Sequence, residues 1–125
     1  MDVGTDRIRW IERGDRRILY VDYSDLDSPG MVEIAHKAGI AYRIVPETGA
    51  RVLVNATNTA TADSEAMTAM RDAVRNLRGK DGRLAVAGVS RVQMLLLRAI
   101  NLFAAVKFVP FPSVEDAQAW LDQED

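Results

Sequence analysis

The chain has 125 residues, 48% hydrophobic and 27% charged, a composition suited to one folded soluble domain and too apolar for disorder. Sixteen basic against eighteen acidic side chains leave a net charge of -2, which argues against a nucleic-acid binder. Cysteine is absent, which excludes disulfides and cysteine nucleophiles, and the single histidine, His36, excludes a multi-histidine metal site and leaves little for a histidine-based triad. No cofactor fingerprint or paired catalytic acids are found, so the expectation is a protein that is not an enzyme and holds no metal or cofactor.

Met1 to Asp6 has no apolar stretch and does not read as a signal peptide. The most apolar segment, Val92 to Phe108, is broken by Gln93, Arg98, Asn101 and Lys107 and is too short to cross a bilayer. A cytoplasmic location without a transmembrane segment is therefore expected.

Ile8 and Trp10 alternate with Arg7 and Arg9 as in a strand, and Gly14-Asp15 fits a tight hairpin turn. The tripeptide Arg13-Gly14-Asp15 is read as that turn and not as an integrin motif. A second strand runs from Arg16 to Tyr23. Ser28 followed by Pro29 predicts an N-cap and a proline-opened helix, whose apolar face is Met31, Ile34, Ala35, Ala38, Tyr42 and Val45 before Pro46 stops it. Arg51 to Asn55 is the next strand. A second helix shows Ala66, Met67, Met70, Val74 and Leu77 at three- and four-residue spacing up to Gly79. Leu84 to Ala87 is a further strand, Gly88 turns the chain, and Ser90 with Gln93 makes a capping box for a third helix. Ala105 to Val109 is read as the last strand, and Ser113 caps a fourth helix ending near Trp120-Leu121.

The order β-β-α-β-α-β-α-β-α, with no linker or repeat, predicts an α/β fold over residues 1–125. Its single, mostly parallel sheet has about five strands, an antiparallel N-terminal edge strand and four flanking helices. The expected core includes Leu53, Val54, Leu84, Val86, Met70, Val74, Leu95, Leu96 and Phe103.

Several local features admit a functional reading beside a plain one. Asp22, Asp25 and Asp27 suggest a divalent-metal or receiver-type pocket, or acids at a helix start. Gly88, Ser90 and Arg91, between a strand and a helix, suggest an anion site or a capped turn. Arg71, Arg75 and Arg78, continued by Lys80 and Arg83, are a solvated face or a docking surface for an acidic partner or an anionic headgroup. His36 lies about 140° from its helix's apolar face and reads as exposed. On the third helix, Met94 and Leu97 fall inside a polar wedge formed by Gln93, Asn101, Arg98 and Arg91, which suggests partner contact, a homodimer or lipid contact.

The stretch Leu84-Ala-Val-Ala-Gly-Val-Ser90, the ending Phe111-Pro-Ser-Val-Glu-Asp-Ala-Gln-Ala-Trp120-Leu121 and the segment Arg17-Ile-Leu-Tyr-Val-Asp-Tyr-Ser-Asp-Leu26 together resemble the small bacterial STAS-like proteins grouped as SpoIIAA-like. In the related anti-sigma factor antagonists, a strand ending in an acid or Asn is followed by Asp-Ser-Ser-Gly at a helix start. Here Asn55 ends the strand and Asp63-Ser64-Glu65-Ala66 stands at the matching place. The serine those relatives phosphorylate is replaced by Glu65, a permanent negative charge favoured by the helix dipole. The SpoIIAA-like branch is also similar to the lipid-binding SEC14 fold. That implies an apolar pocket, with Met94, Leu97, Ile100, Phe103, Phe108, Phe111 and Trp120 as its candidate walls. The resemblance implies a non-enzymatic binding module for a partner protein or a small apolar ligand. The alternative is an anti-sigma-antagonist switch working through Asn55, Asp63, Ser64 and Glu65.

Overall fold

The computed structural model describes residues 7–90, 92, 95 and 106–123. β1 (Ile8–Arg13) and β2 (Arg16–Asp22) form the antiparallel hairpin, with Gly14 at φ 64° in the turn. β2 pairs in parallel with β3 (Thr48–Asn55), β3 with β4 (Asp81–Ala87), and β4 with β5 (Val109–Phe111), giving the order β1-β2-β3-β4-β5. Parallel neighbours need crossovers, and α1 (Ser28–Arg43) and α2 (Ser64–Val74), the latter extended by a 3-10 turn at Arg75–Leu77, supply the first two. α3 (Val114–Asp122) closes the fold.

Strand alternation divides the core in two. Leu19, Val21, Val52, Val54, Leu84 and Val86 pack with Met31, Ile34, Ala35, Ala38 and Tyr42 of α1 and with Ala66, Ala69, Ala73 and Val74 of α2. On the other face Ile18, Leu53, Ala85 and Ala87 meet Ala117 and Leu121 of α3. β3 and β4 are covered on both sides, which is why they read as continuous apolar runs. Each fully buried aliphatic side chain of this kind contributes ~1.5–3 kcal/mol.

α2 packs against α1 through small residues. A Cβ added at Gly39 would lie 3.4 Å from Ala73 Cα, so the helices approach closely where both side chains are minimal. Accordingly Ala66, Ala69 and Ala73 face inward, and Met67 and Met70, expected on the buried face, are only half-buried. His36 is exposed, as its helical phase requires.

Four other expectations change. Asp27, not Ser28, caps α1, its carboxylate accepting from Gly30 N at 3.0 Å, and Ser28 serves the neighbouring helix instead. The last strand is Val109–Phe111 and not Ala105–Val109. Pairing with Ala85–Ala87 sets its position, and an edge strand tolerates Pro110 because one row of its backbone donors has no strand partner. Three α-helices, not four, flank the sheet among the described residues, since the helix anticipated from Ser90 lies almost entirely outside them. Its described members Val92 and Leu95 are helical but 67% and 64% exposed, so Leu95 is not a core residue. Periodicity marks which residues share a helix face, and not whether the fold supplies a partner for that face.

α3 is fastened at its C-terminal end by arginines. Arg51, 5% exposed, donates to Leu121 O, Arg83 donates to Trp120 O at 2.6 Å, and Arg16 donates to Gln123 O at 2.7 Å. Arg13 grips the Asp122 carboxylate through two nitrogens and holds it below the usual carboxylate range. Cations at the negative end of the helix dipole satisfy carbonyls that the helix leaves unpaired.

Candidate functional site

At the carboxyl ends of the strands, pairing continues one residue further across the sheet. Tyr23 N donates to Asn55 O at 2.8 Å, Ala56 N to Ala87 O at 2.9 Å, and Gly88 N to Phe111 O at 2.9 Å. The connections leaving β2, β3 and β4 are thereby brought to one edge, where parallel α/β sheets place their functional loops.

Asn55 organises the loop after β3. Its Oδ1 accepts from Thr57 N at 3.0 Å and Thr57 Oγ1 at 2.6 Å, and its Nδ2 donates to the Tyr20 hydroxyl at 3.0 Å. Gly88 lies against the same loop at φ 86°, so close that a Cβ there would sit 2.7 Å from the Thr57 backbone. The loop after β2 is joined to it through Asp25 N donating to Thr57 O, Ala60 N to Leu26 O, and Asn58 Nδ2 to Asp25 Oδ1 at 2.6 Å. Asp25 and Asn58 both adopt positive φ, 62° and 56°, a conformation that Asp and Asn tolerate better than most residues.

These braces align the starts of α1 and α2. Ser28 Oγ accepts from Asp63 N at 2.9 Å, and Asp63 in turn caps α2 by accepting from Ala66 N at 2.9 Å. Ser64 and Glu65 occupy the first turn of α2 and are exposed. The arrangement therefore presents a hydroxyl and a carboxylate to solvent at a helix end where negative charge is favoured by ~0.3–1 kcal/mol. Asn55, Asp63, Ser64 and Glu65 thus lie along one braced connection. Ser28, expected only as the α1 cap, joins it, and Tyr20, Thr57 and Asn58 complete it without any motif in the sequence singling them out. The left-handed tendency of Asn58 is the one local signal among them.

The other candidates are not brought together. Asp22 accepts from Ser24 N and lies 3.8 Å from Arg7, Asp25 holds Asn58, and Asp27 caps α1, so the three carboxylates serve separate structural bonds. The Gly88 amide is already committed to Phe111 O; Ser90 is exposed, and Arg91 lies outside the described residues. Phe108 is fully buried on the α1–α2 side, whereas Phe111 and Trp120, with ring centroids 5.4 Å apart, pack on the α3 side. The sheet separates them. Met94, Leu97, Ile100 and Phe103, on which the pocket and dimer expectations also rest, lie outside the described residues.

No protein-family model matches the sequence, and no curated protein matches it. Solved structures do match. An anti-sigma-factor antagonist (STAS) domain protein from Planctomyces limnophilus aligns over 93% of this chain and 98% of its own, at 12% identity and a TM-score of 0.60. A candidate anti-sigma factor antagonist from Thermotoga maritima aligns over 96% of this chain and 98% of its own, at 12% identity and a TM-score of 0.55. At that identity the likeness establishes the fold, which is STAS-like. No helix among the described residues is long and apolar enough to cross a membrane.

Proposed function

We propose that this STAS-fold chain is a non-catalytic regulatory module that docks a partner protein through the start of α2, in the manner of an anti-sigma-factor antagonist. The observation carrying this reading is the exposure of Ser64 and Glu65 on the first turn of α2, held by the Asn55–Thr57 and Ser28–Asp63 bonds. A connection braced from two neighbouring loops is preorganised, and preorganisation reduces the ordering cost of association. Asp25, Asp27, Asp63 and Glu65 are all exposed at this end, so the matching surface on the partner is cationic and association weakens with salt.

Glu65 sets the mode of regulation. It places a fixed charge where the resembled antagonists carry a removable phosphate, and Ser64 is the adjacent hydroxyl open to modification. A small apolar ligand is the less supported reading, because the described candidate walls lie on opposite faces of the sheet. The test is titration of the purified chain against an anti-sigma-factor kinase from the same genome, with mass spectrometry of Ser64 after incubation with ATP. Binding that weakens at least tenfold in Glu65→Arg, with an unchanged denaturation midpoint, supports the reading. Wild-type binding indifferent to Glu65→Arg and Ser64→Arg would overturn it.

A further inference from the structure

Asn55 ends β3 at 9% exposure, one of two buried polar side chains among the described residues. Its amide has one usable orientation. The Thr57 N–H can only donate, so Oδ1 must face the loop, where it also accepts from Thr57 Oγ1. That turns the Nδ2 donors to the Tyr20 hydroxyl, 3.0 Å away. Tyr20 therefore holds the amide from one side and Thr57 from the other.

Position 20 makes a geometric demand that tyrosine fits. Tyr20 lies opposite Leu53 in the β2–β3 register, and Asn55 is the next residue of β3 on the same face, ~6.6 Å further along. A phenol spans that interval and ends in a hydroxyl. Arg9, paired with Tyr20 across the hairpin, places its guanidinium 4.9 Å from the ring centre. The ring packs with Ile18, Leu53 and Leu121 on the α3 side of the sheet, whereas α2, with Ser64 and Glu65, lies on the other side.

We infer that Tyr20 is the positioning residue of the docking connection, so that the presentation of Ser64 and Glu65 is governed from the α3 face. This rests on the docking reading proposed above and adds the regulation of that site. Displacing the Tyr20 ring frees the Asn55 amide, and with it the amide and hydroxyl of Thr57, at the head of the connection to α2. The Ser28–Asp63 bond remains, so preorganisation is lost and the fold is kept.

The test measures affinity for an anti-sigma-factor kinase from the same genome, together with amide exchange. Tyr20→Phe, which keeps the ring and its Arg9 contact, should weaken binding roughly three- to tenfold and speed deuterium exchange at the Thr57 amide. Arg9→Gln should weaken binding roughly two- to fivefold. Arg17→Gln, which removes a comparable stack on Trp10 at 4.4 Å, should leave it unchanged. In an Asn55→Ala background, Tyr20→Phe should have less than about a twofold further effect, because the two act through one bond. Tyr20→Phe binding like the wild type, while Glu65→Arg weakens binding, would overturn this inference and leave the docking reading standing. Full additivity with Asn55→Ala, an unchanged Thr57 amide, or equal losses from Arg9→Gln and Arg17→Gln would overturn it too, since Tyr20 would then act through general stability. Wild-type binding indifferent to Glu65→Arg and Ser64→Arg would overturn both readings.

Discussion

Replacing Gly88 by alanine should be among the costlier single-methyl changes in this protein. Gly88 has φ 86°, and placing an L side chain in that left-handed region costs ~1–2 kcal/mol. The added Cβ would also lie 2.7 Å from the Cα and N of Thr57. Backbone atoms cannot rotate aside, so the loop must shift, and overpacking of that kind costs ~1–3 kcal/mol. The sum is ~2–5 kcal/mol, a substantial part of the ~5–15 kcal/mol that stabilises a typical domain. Gly79 provides the control: its φ is 82°, but an added Cβ meets nothing within 4 Å, so Gly79→Ala bears only the conformational part. Urea denaturation of both variants should therefore give a larger loss at Gly88, by ~1–3 kcal/mol. The Thr57 amide, bonded to Asn55 Oδ1 at 3.0 Å, should exchange with deuterium faster in Gly88→Ala and unchanged in Gly79→Ala. Equal stability losses, or an unaltered Thr57 amide in Gly88→Ala, would refute the claim that close approach to Thr57 constrains this turn.

Phe108→Ala, which empties a fully buried position on the α1–α2 side, should cost ~3–5 kcal/mol by the same denaturation assay. Leu95→Ser, at an exposed site, should change stability by no more than ~0.5 kcal/mol. Burial pushes the phenols of Tyr23 and Tyr42 up from their ordinary value. Their contribution to stability is complete below the unfolded-state phenol value of ~10 and declines as pH rises above it, because the unfolded chain ionises first. Phenolate absorbance from these two tyrosines should accordingly appear together with loss of circular dichroism, and ionisation in the intact fold would contradict their burial.

The agreement between sequence and structure follows the range of the forces involved. The β2, β3 and β4 strands were legible because Ile18–Val21, Val52–Val54 and Leu84–Ala87 are apolar over consecutive residues, as strands covered on both faces must be. The hairpin followed from Gly14-Asp15, a local choice of backbone geometry. Where competing local signals were close, tertiary contact chose between them. Asp27 took the α1 cap because Ser28 is bonded to Asp63, 35 residues away.

The candidate site divides in the same way. Asn55, Asp63, Ser64 and Glu65 could be placed from strand and helix boundaries, since their positions depend on neighbours along the chain. The bonds from Ser28, Tyr20 and Asp25 that hold their connection could not, because parallel pairing alone brings those residues alongside. The same holds for Arg51: inside a run that reads as buried strand it is a charge without an apparent counterpart, until α3 folds back and supplies Leu121 O. Sequence thus determined β1 to β4, the three helices α1 to α3 and the chemistry available at each end of the sheet. Tertiary structure decided which polar groups satisfy one another and which apolar residues, Ile40 and Ile44 among them, are left facing water. Those outcomes depend on contacts between segments distant in sequence, which local periodicity does not encode.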